Sequence, residues 1–243
     1  MRKHFTNTTL AVCLAIGMAP ALRAGIVTEI EADGSFINNA LGTAQIVPVS
    51  AFTTPAPAKV FNPPGYATAT IQGSNGSSDV DFFGFSSNGG RVYLDMDNSL
   101  PAFDPIVALF DGTGTLLAYS DDSDPDDGSV NTVDSFVGVF TLPTPGMYYI
   151  GISEAANFPT AALTGTETPL MRPDGAFGGY AVSGVASGVS SYDFSGAQPG
   201  GGSYALHVSV SPVPEPASML LAGTALLVLG CMEVRRQKKA NQQ

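Results

Sequence analysis

The sequence predicts an all-β protein, an antiparallel, jelly-roll-like β-sandwich. Three observations carry that prediction. Through 79–153, apolar and polar residues alternate with period two, as on strands with one face toward a core and the other toward water. Turn-forming sequences interrupt the alternation at short intervals: Asn88-Gly89-Gly90, Asp111-Gly112-Thr113-Gly114 and Pro145-Gly146. Glycine makes up 28 of the 243 residues, which suits many turns and few helices.

Residues 1–24 read as a secretory signal peptide. Arg2, Lys3 and His4 give a positive start, 10–18 an apolar middle, and small residues follow. Ala19-Pro20-Ala21 allows a cut after Ala21, but the domain begins at Gly25, which favours a cut after Ala24. The predicted domain spans 25–211. Glu29, Glu31 and Asp33 alternate at its start, and Asp33-Gly34 marks a turn. The proline-rich run 50–66 has to cross as a loop or edge, because proline lacks a backbone donor. Strands are expected at 67–72, from Asp79, at 91–97, 106–110, 116–119, 132–140, 147–153 and 203–210, with one more at 182–189. In 91–97, Val92, Leu94 and Met96 face the core and Tyr93, Asp95 and Asp97 face water. Residues 154–181, rich in Gly, Ala and Thr, form a long loop. His207 faces away from Tyr204, Leu206, Val208 and Val210 and is expected to be solvated.

The chain carries a net charge of −11, but the bases cluster at its ends. Within 25–211, 19 Asp and Glu face only Lys59, Arg91 and Arg172, so the domain carries −16 and should repel nucleic acid. Cys13 and Cys231 both lie outside this range, so the domain has no disulfide, thiol nucleophile or thiolate metal site. No His cluster offers a zinc site, and His207 lacks a nucleophile signature beside it.

Residues 212–243 combine Val213-Pro214-Glu215-Pro216, an apolar helix at about 217–234, and the bases Arg235, Arg236, Lys238 and Lys239. The apolar run from 217 to 232 falls slightly short of the ~20 residues of a full span, and the basic tail should stay cytoplasmic. This three-part order resembles the PEP-CTERM sorting signal. The resemblance implies an exosortase-type membrane protease as partner, cleavage near the motif, and an inner-membrane-anchored precursor. The product is then expected at the cell surface or outside a Gram-negative bacterium that makes exopolysaccharide.

The body of the chain shows DVDFFGF, then FDPIVALFDGTGTLLAYSDD, then PGMYYIGIS. This order resembles the pre-peptidase C-terminal module and the collagen-binding modules of clostridial collagenases. The resemblance covers roughly 28–210 and implies a non-catalytic binding sandwich, in which calcium is common. In that family an ExExND segment supplies calcium ligands. Glu29 and Glu31 match its Glu positions, Asp33 takes the Asn place and Gly34 replaces the final Asp, which removes one ligand. Asp79 and Asp81 resemble the aspartates that complete the site. The residues themselves also allow a solvated strand edge.

A second calcium reading is the loop of Asp121, Asp122, Asp124, Asp126 and Asp127, five like charges within seven positions. Pro125 and the missing Gly and Glu argue against an EF-hand, and a solvated hairpin tip is the competing reading. Two functions remain. One is a non-catalytic, exported module that binds exopolysaccharide or matrix. The other is a polysaccharide hydrolase run by paired carboxylates near the 154–181 loop.

Overall fold

The computed structural model describes residues 25–30, 37–53, 65–76, 79–97, 103–125, 133–155, 157–188, 190–193 and 201–211. Among them the strands are β1 (Ile26–Thr28), β2 (Gln45–Ile46), β3 (Ala67–Asn75), β4 (Val80–Ser87), β5 (Gly90–Asp97), β6 (Pro105–Phe110), β7 (Leu116–Ser120), β8 (Phe136–Leu142), β9 (Gly146–Glu154), β10 (Phe158–Pro159), β11 (Thr166–Met171), β12 (Phe177–Ser183), β13 (Tyr192–Asp193) and β14 (Gly202–Val210). One sheet runs β1-β3-β14-β5-β8 and the other β11-β12-β7-β6-β9-β4-β2, with β10 and β13 as a separate pair. The fold is a β-sandwich. Its pairings are antiparallel except at two edges, where the short β1 and β2 run parallel to β3 and β4.

Alternation builds the core between the two sheets. Ile71, Leu94, Met96, Leu206 and Val208 point inward from the first sheet and meet Phe83, Phe85, Leu109, Ile150 and Ile152 of the second. Each such side chain contributes about 1.5–3 kcal/mol by leaving water. The second sheet is also covered on its outer face. Val80, Phe82, Ile106 and Phe110 pack there against Ala161, Ala162 and Tyr192. A strand buried on both faces needs no alternation, which is why β6 reads PIVALF and is buried throughout.

That cover corrects the long-loop reading of 154–181. The segment contains β10 and β11, and β11 pairs with β12 in a hairpin that joins β7 at the sheet edge. Its strands are hard to read because β11 is mostly exposed and carries Pro169, as an edge strand tolerates. The strand expected at 182–189 instead ends at Ser183, with Gly184 at φ 74° turning the chain. The strand expected at 132–140 begins at Phe136.

A further correction concerns the outer face of the first sheet. Tyr93, Asp95, Asp97 and His207 are buried, not solvated. Period two shows that two faces differ, but a polar face can be sealed when its groups bond one another. Here Thr70 Oγ1 and His207 Nδ1 are 2.9 Å apart, His207 Nε2 is 3.2 Å from Asp97 Oδ2, and the Thr68 and Ser209 hydroxyls are 2.8 Å apart. Tyr66 packs on Tyr93 with ring centroids 4.7 Å apart. Among the described residues no helix is long and apolar enough to cross a membrane. The signal peptide expected at 1–24 and the apolar helix expected at about 217–234 lie outside them.

Gly151 and Tyr192 fix the cover to the sheet. A Cβ on Gly151 would overlap the Tyr192 hydroxyl, and that hydroxyl is buried without a hydrogen bond. Gly151→Ala should therefore cost about 1–3 kcal/mol by overpacking. Tyr192→Phe should be neutral or stabilising, since it removes an unsatisfied group. In the Tyr192→Phe background Gly151→Ala should cost distinctly less, and urea denaturation of the four proteins checks this coupling.

Candidate functional site

Because consecutive strands run up and down, alternate strand ends meet at one end of the sandwich. There lie the C-terminal ends of β3, β5, β7 and β9 and the N-terminal ends of β4, β6 and β8. Those ends carry Asn75, Asp97, Ser120-Asp121, Glu154, Asp79, Asp104 and Asp134-Ser135. The register places Glu154 opposite Pro105 and Val80 opposite Ser153. Carboxylates far apart in the chain are thus delivered to one acidic end by topology alone.

Two clusters form there. In the first, Glu29, Asp79 and Asp81 come together, as the sequence reading expected. Tyr204 donates its hydroxyl to Asp81 Oδ2 at 2.9 Å and reaches Glu29 Oε1 at 3.5 Å. Asn75 Nδ2 donates to Asp81 Oδ2 at 3.3 Å, Asn38 Nδ2 to Glu29 Oε1 at 3.2 Å, and the Ser74 amide to Glu29 Oε2 at 2.8 Å. Asn39 Nδ2 and the Val80 amide hold Asp79 Oδ1. Gly73 is part of this site, because a Cβ there would stand 2.5 Å from both Glu29 Oε2 and the Tyr204 hydroxyl. Burial, and then the negative charge of Glu29, push the Asp81 carboxyl up to about 10. In a cation-free protein at neutral pH, the Glu29–Asp81 pair therefore favours holding a proton.

The atoms of this cluster able to ligate a cation are all oxygens. Besides the carboxylates and the Tyr204 hydroxyl, Asp81 Oδ1, Asn39 Oδ1 and Asn75 Oδ1 are buried without a hydrogen-bond partner. That donor set fits a hard cation such as calcium. Glu31 and Asp33, the other two expected ligands, lie outside the described residues.

The second cluster departs from the predicted loop. Asp126 and Asp127 lie outside the described residues, and Asp122 is exposed. Asp124 turns away, accepting from the Phe177 amide at 3.1 Å. Asp121 instead joins Asp104, Asp134 and Glu154, which loop composition did not mark. Burial, then the charges of Asp122 and Asp134, raise Asp104 to about 6; burial, then Asp104 and Asp122, raise Asp121 to about 7. Burial also raises Glu154 to about 7, against the Asp104 backbone N–H, which favours its charged form. The signal that could have found them is one acidic residue at every second strand end: FDP, SDD, DSF and ISE.

Among the described residues, no three His, Cys, Asp or Glu side chains already stand as a metal-coordinating group. In the first cluster the carboxylates are gathered, but each is tied to its own donors.

Residues 212–236 match the PEP-CTERM protein-sorting motif, so the chain carries a signal for exosortase-dependent sorting. Pro214, Glu215, Pro216, Arg235, Arg236, Lys238 and Lys239, together with this whole segment, lie outside the described residues. No curated protein matches the chain. Among solved structures it is similar to the pre-peptidase C-terminal domain of a collagenase from Bacillus anthracis, at 15% identity and TM-score 0.32, covering 58% of this chain and 88% of that one. It is also similar to PliG, a periplasmic inhibitor of g-type lysozyme. The Salmonella Typhimurium protein matches at 14% identity and TM-score 0.32, covering 70% of this chain and 100% of that one. The Aeromonas hydrophila protein matches at 13% and 0.31, covering 63% and 93%.

A carboxyl with a raised folded-state pKa binds its proton more tightly in the folded protein. The stability it contributes is fully present below the ordinary carboxylate value and is lost as pH rises through the folded value. For Asp104, Asp121 and Glu154 that window runs from about 4 to about 7. In chelator, the urea midpoint should therefore fall between about pH 5 and pH 8, where most proteins hold steady or gain.

Proposed function

We propose that this is an exported, non-catalytic β-sandwich protein that binds surface or matrix polymer, exopolysaccharide among them, and reaches its place through exosortase. The sorting motif at 212–236 is the observation that carries the reading. On this reading the basic residues after the apolar segment hold the precursor in the inner membrane until the tail is cut near Pro214-Glu215-Pro216. The N-terminal stretch 1–24 starts export, and the acidic domain ends at the surface or outside the cell.

The domain supports a binding role better than a hydrolytic one. A glycosidase brings two carboxyl groups to a bond in solvent. Here one carboxyl of each cluster is fully sealed: Asp81 and Glu154 are each 0% exposed. His207 is bonded through both ring nitrogens in the middle of a sheet, with no free edge for a substrate.

Calcium belongs to the same proposal. Glu29, Asp79 and Asp81 would hold the ion, helped by Asn39, Asn75 and Tyr204, with Glu31 and Asp33 as further ligands. The ion would neutralise three buried carboxylates and fasten β1, β3, β4 and β14 to one another.

Two measurements test these claims. Mass spectrometry of the native protein should find a new C-terminus near 214–216, and replacing Pro214, Glu215 and Pro216 by alanine should leave the tail intact. A native product keeping residues to Gln243 in cells that hold an exosortase overturns the sorting claim. Millimolar calcium should raise the melting temperature by RT ln(1 + [L]/Kd) expressed in degrees, about 2–4 °C per kcal/mol in a domain of this size. Asp81→Asn should match or exceed the wild-type stability in chelator and lose most of the calcium increment.

A further inference from the structure

The second buried acidic group at this end has no basic side chain among the groups that shift its carboxyls. Asp104 precedes β6, Asp121 follows β7, Asp134 precedes β8, and Glu154 ends β9. Glu154 is 0% exposed, and its buried carboxylate oxygens have no side-chain donor and no hydrogen bond of normal geometry; only the Asp104 backbone N–H lies near enough to favour its charge. Glu154 faces Asp104, the one charged side chain that raises its pKa. Asp104 Oδ1 and Asp121 Oδ1 are likewise buried with no partner. Leaving a buried charge uncompensated costs several kcal/mol, so a fold that keeps such groups normally supplies a proton or a counter-ion.

A second observation at the same place is independent of the carboxylates. Ser135 Oγ sits among three backbone carbonyls, 2.5 Å from Pro105 O, 3.1 Å from Ser120 O, and in contact with Asp121 O. One hydroxyl has one proton and cannot satisfy three acceptors. Three carbonyl oxygens therefore crowd one spot, at the strand ends that carry these acids. Arg172 does not relieve it. Its guanidinium bonds Asp174 and the Asp124 carbonyl and lies over the Phe136 ring, and it is not among the groups that shift Asp104, Asp121 or Glu154.

The geometry points to a second divalent-cation site, of calcium type, held by Asp104, Asp121, Asp134 and Glu154 with backbone carbonyls of 105, 120 and 121. Oxygen-only donors, several of them carboxylates and carbonyls, are what calcium takes six to eight of. The side chains do not yet converge, as expected of like charges without the ion between them. The site joins four strand ends of both sheets, so the ion would clasp the sandwich at its acidic end. Its proposed ligands are distinct from Glu29, Asp79 and Asp81, although Asp79 and Glu154 end neighbouring strands.

The test counts bound calcium on the full-length protein at about pH 7.5, by equilibrium dialysis and calorimetry, for wild type, Glu154→Gln, Asp104→Asn and Asp81→Asn. Glu154→Gln and Asp104→Asn should each bind one ion fewer than wild type. Asp104 is only partly buried, so its variant answers the question if Glu154→Gln fails to fold. Wild type that binds no calcium, or folded variants that bind as many ions as wild type, overturns the proposal. Asp81→Asn separates the two sites. Retention of one ion in Asp81→Asn that vanishes in Glu154→Gln upholds this site even where the Glu29–Asp79–Asp81 reading fails.

Discussion

Buried negative charge at one end of a two-sheet body is the constraint on which the rest of the structure depends. Two unit charges 4 Å apart repel by about 4 kcal/mol at the effective dielectric of a protein site. Asp81, Asp104, Asp121 and Glu154 are packed against carboxylate neighbours without any basic side chain among the causes that shift them. Protons, hydrogen bonds and cations are the three ways out. The first cluster already uses two of them, through the proton favoured by the Glu29–Asp81 pair and through Tyr204, Asn75, Asn38 and Ser74. In the second, both Glu154 oxygens, Asp104 Oδ1 and Asp121 Oδ1 are buried without a hydrogen bond of normal geometry, so its balance falls on protons and ions.

The apolar architecture makes that congestion tolerable. Strands β4, β6 and β9 sit in the middle of the seven-stranded sheet, and β6 is buried on both faces. Their ends cannot swing apart to relieve repulsion without breaking ladders that run the full length of the core. Gly73 shows how closely the two are joined: its missing side chain leaves the room in which Glu29 and Tyr204 meet. A rigid apolar body therefore stores an electrostatic load at one end, and the groups there titrate far from their ordinary range.

The sandwich was legible wherever a short apolar or alternating run lay between turn-forming residues. That holds for β4, β5, β7, β9 and β14, whose alternation and flanking Gly or Pro place them within a few residues. It failed for β11 and β12, where Thr, Gly and Pro leave no strong pattern because one strand is an exposed edge. It also failed for the fate of polar faces, since Asp95, Asp97 and His207 alternate as solvated residues do and yet are sealed by bonding one another. The first cluster could be read because its residues fall in two short motifs. Asp104, Asp134 and Glu154 could not, because each is a lone acid at a strand end and only the up-and-down topology brings them together.

The sorting tail and the acidic end bear on one another through the solvent each implies. A chain kept inside a cell meets little free calcium, and its buried carboxyls would have to hold protons at neutral pH. Modules that work outside cells bind calcium with dissociation constants of about 10⁻⁴–10⁻³ M, a range that suits sites whose ligands repel one another when empty. On the proposals made above, export by the 1–24 stretch and handling at 212–236 carry the domain to the medium in which its acidic end is neutralised. The two halves of the reading then constrain each other: a domain with closed, ion-filled strand ends makes sense of a chain addressed to the exterior, and the address supplies the ion that closes them.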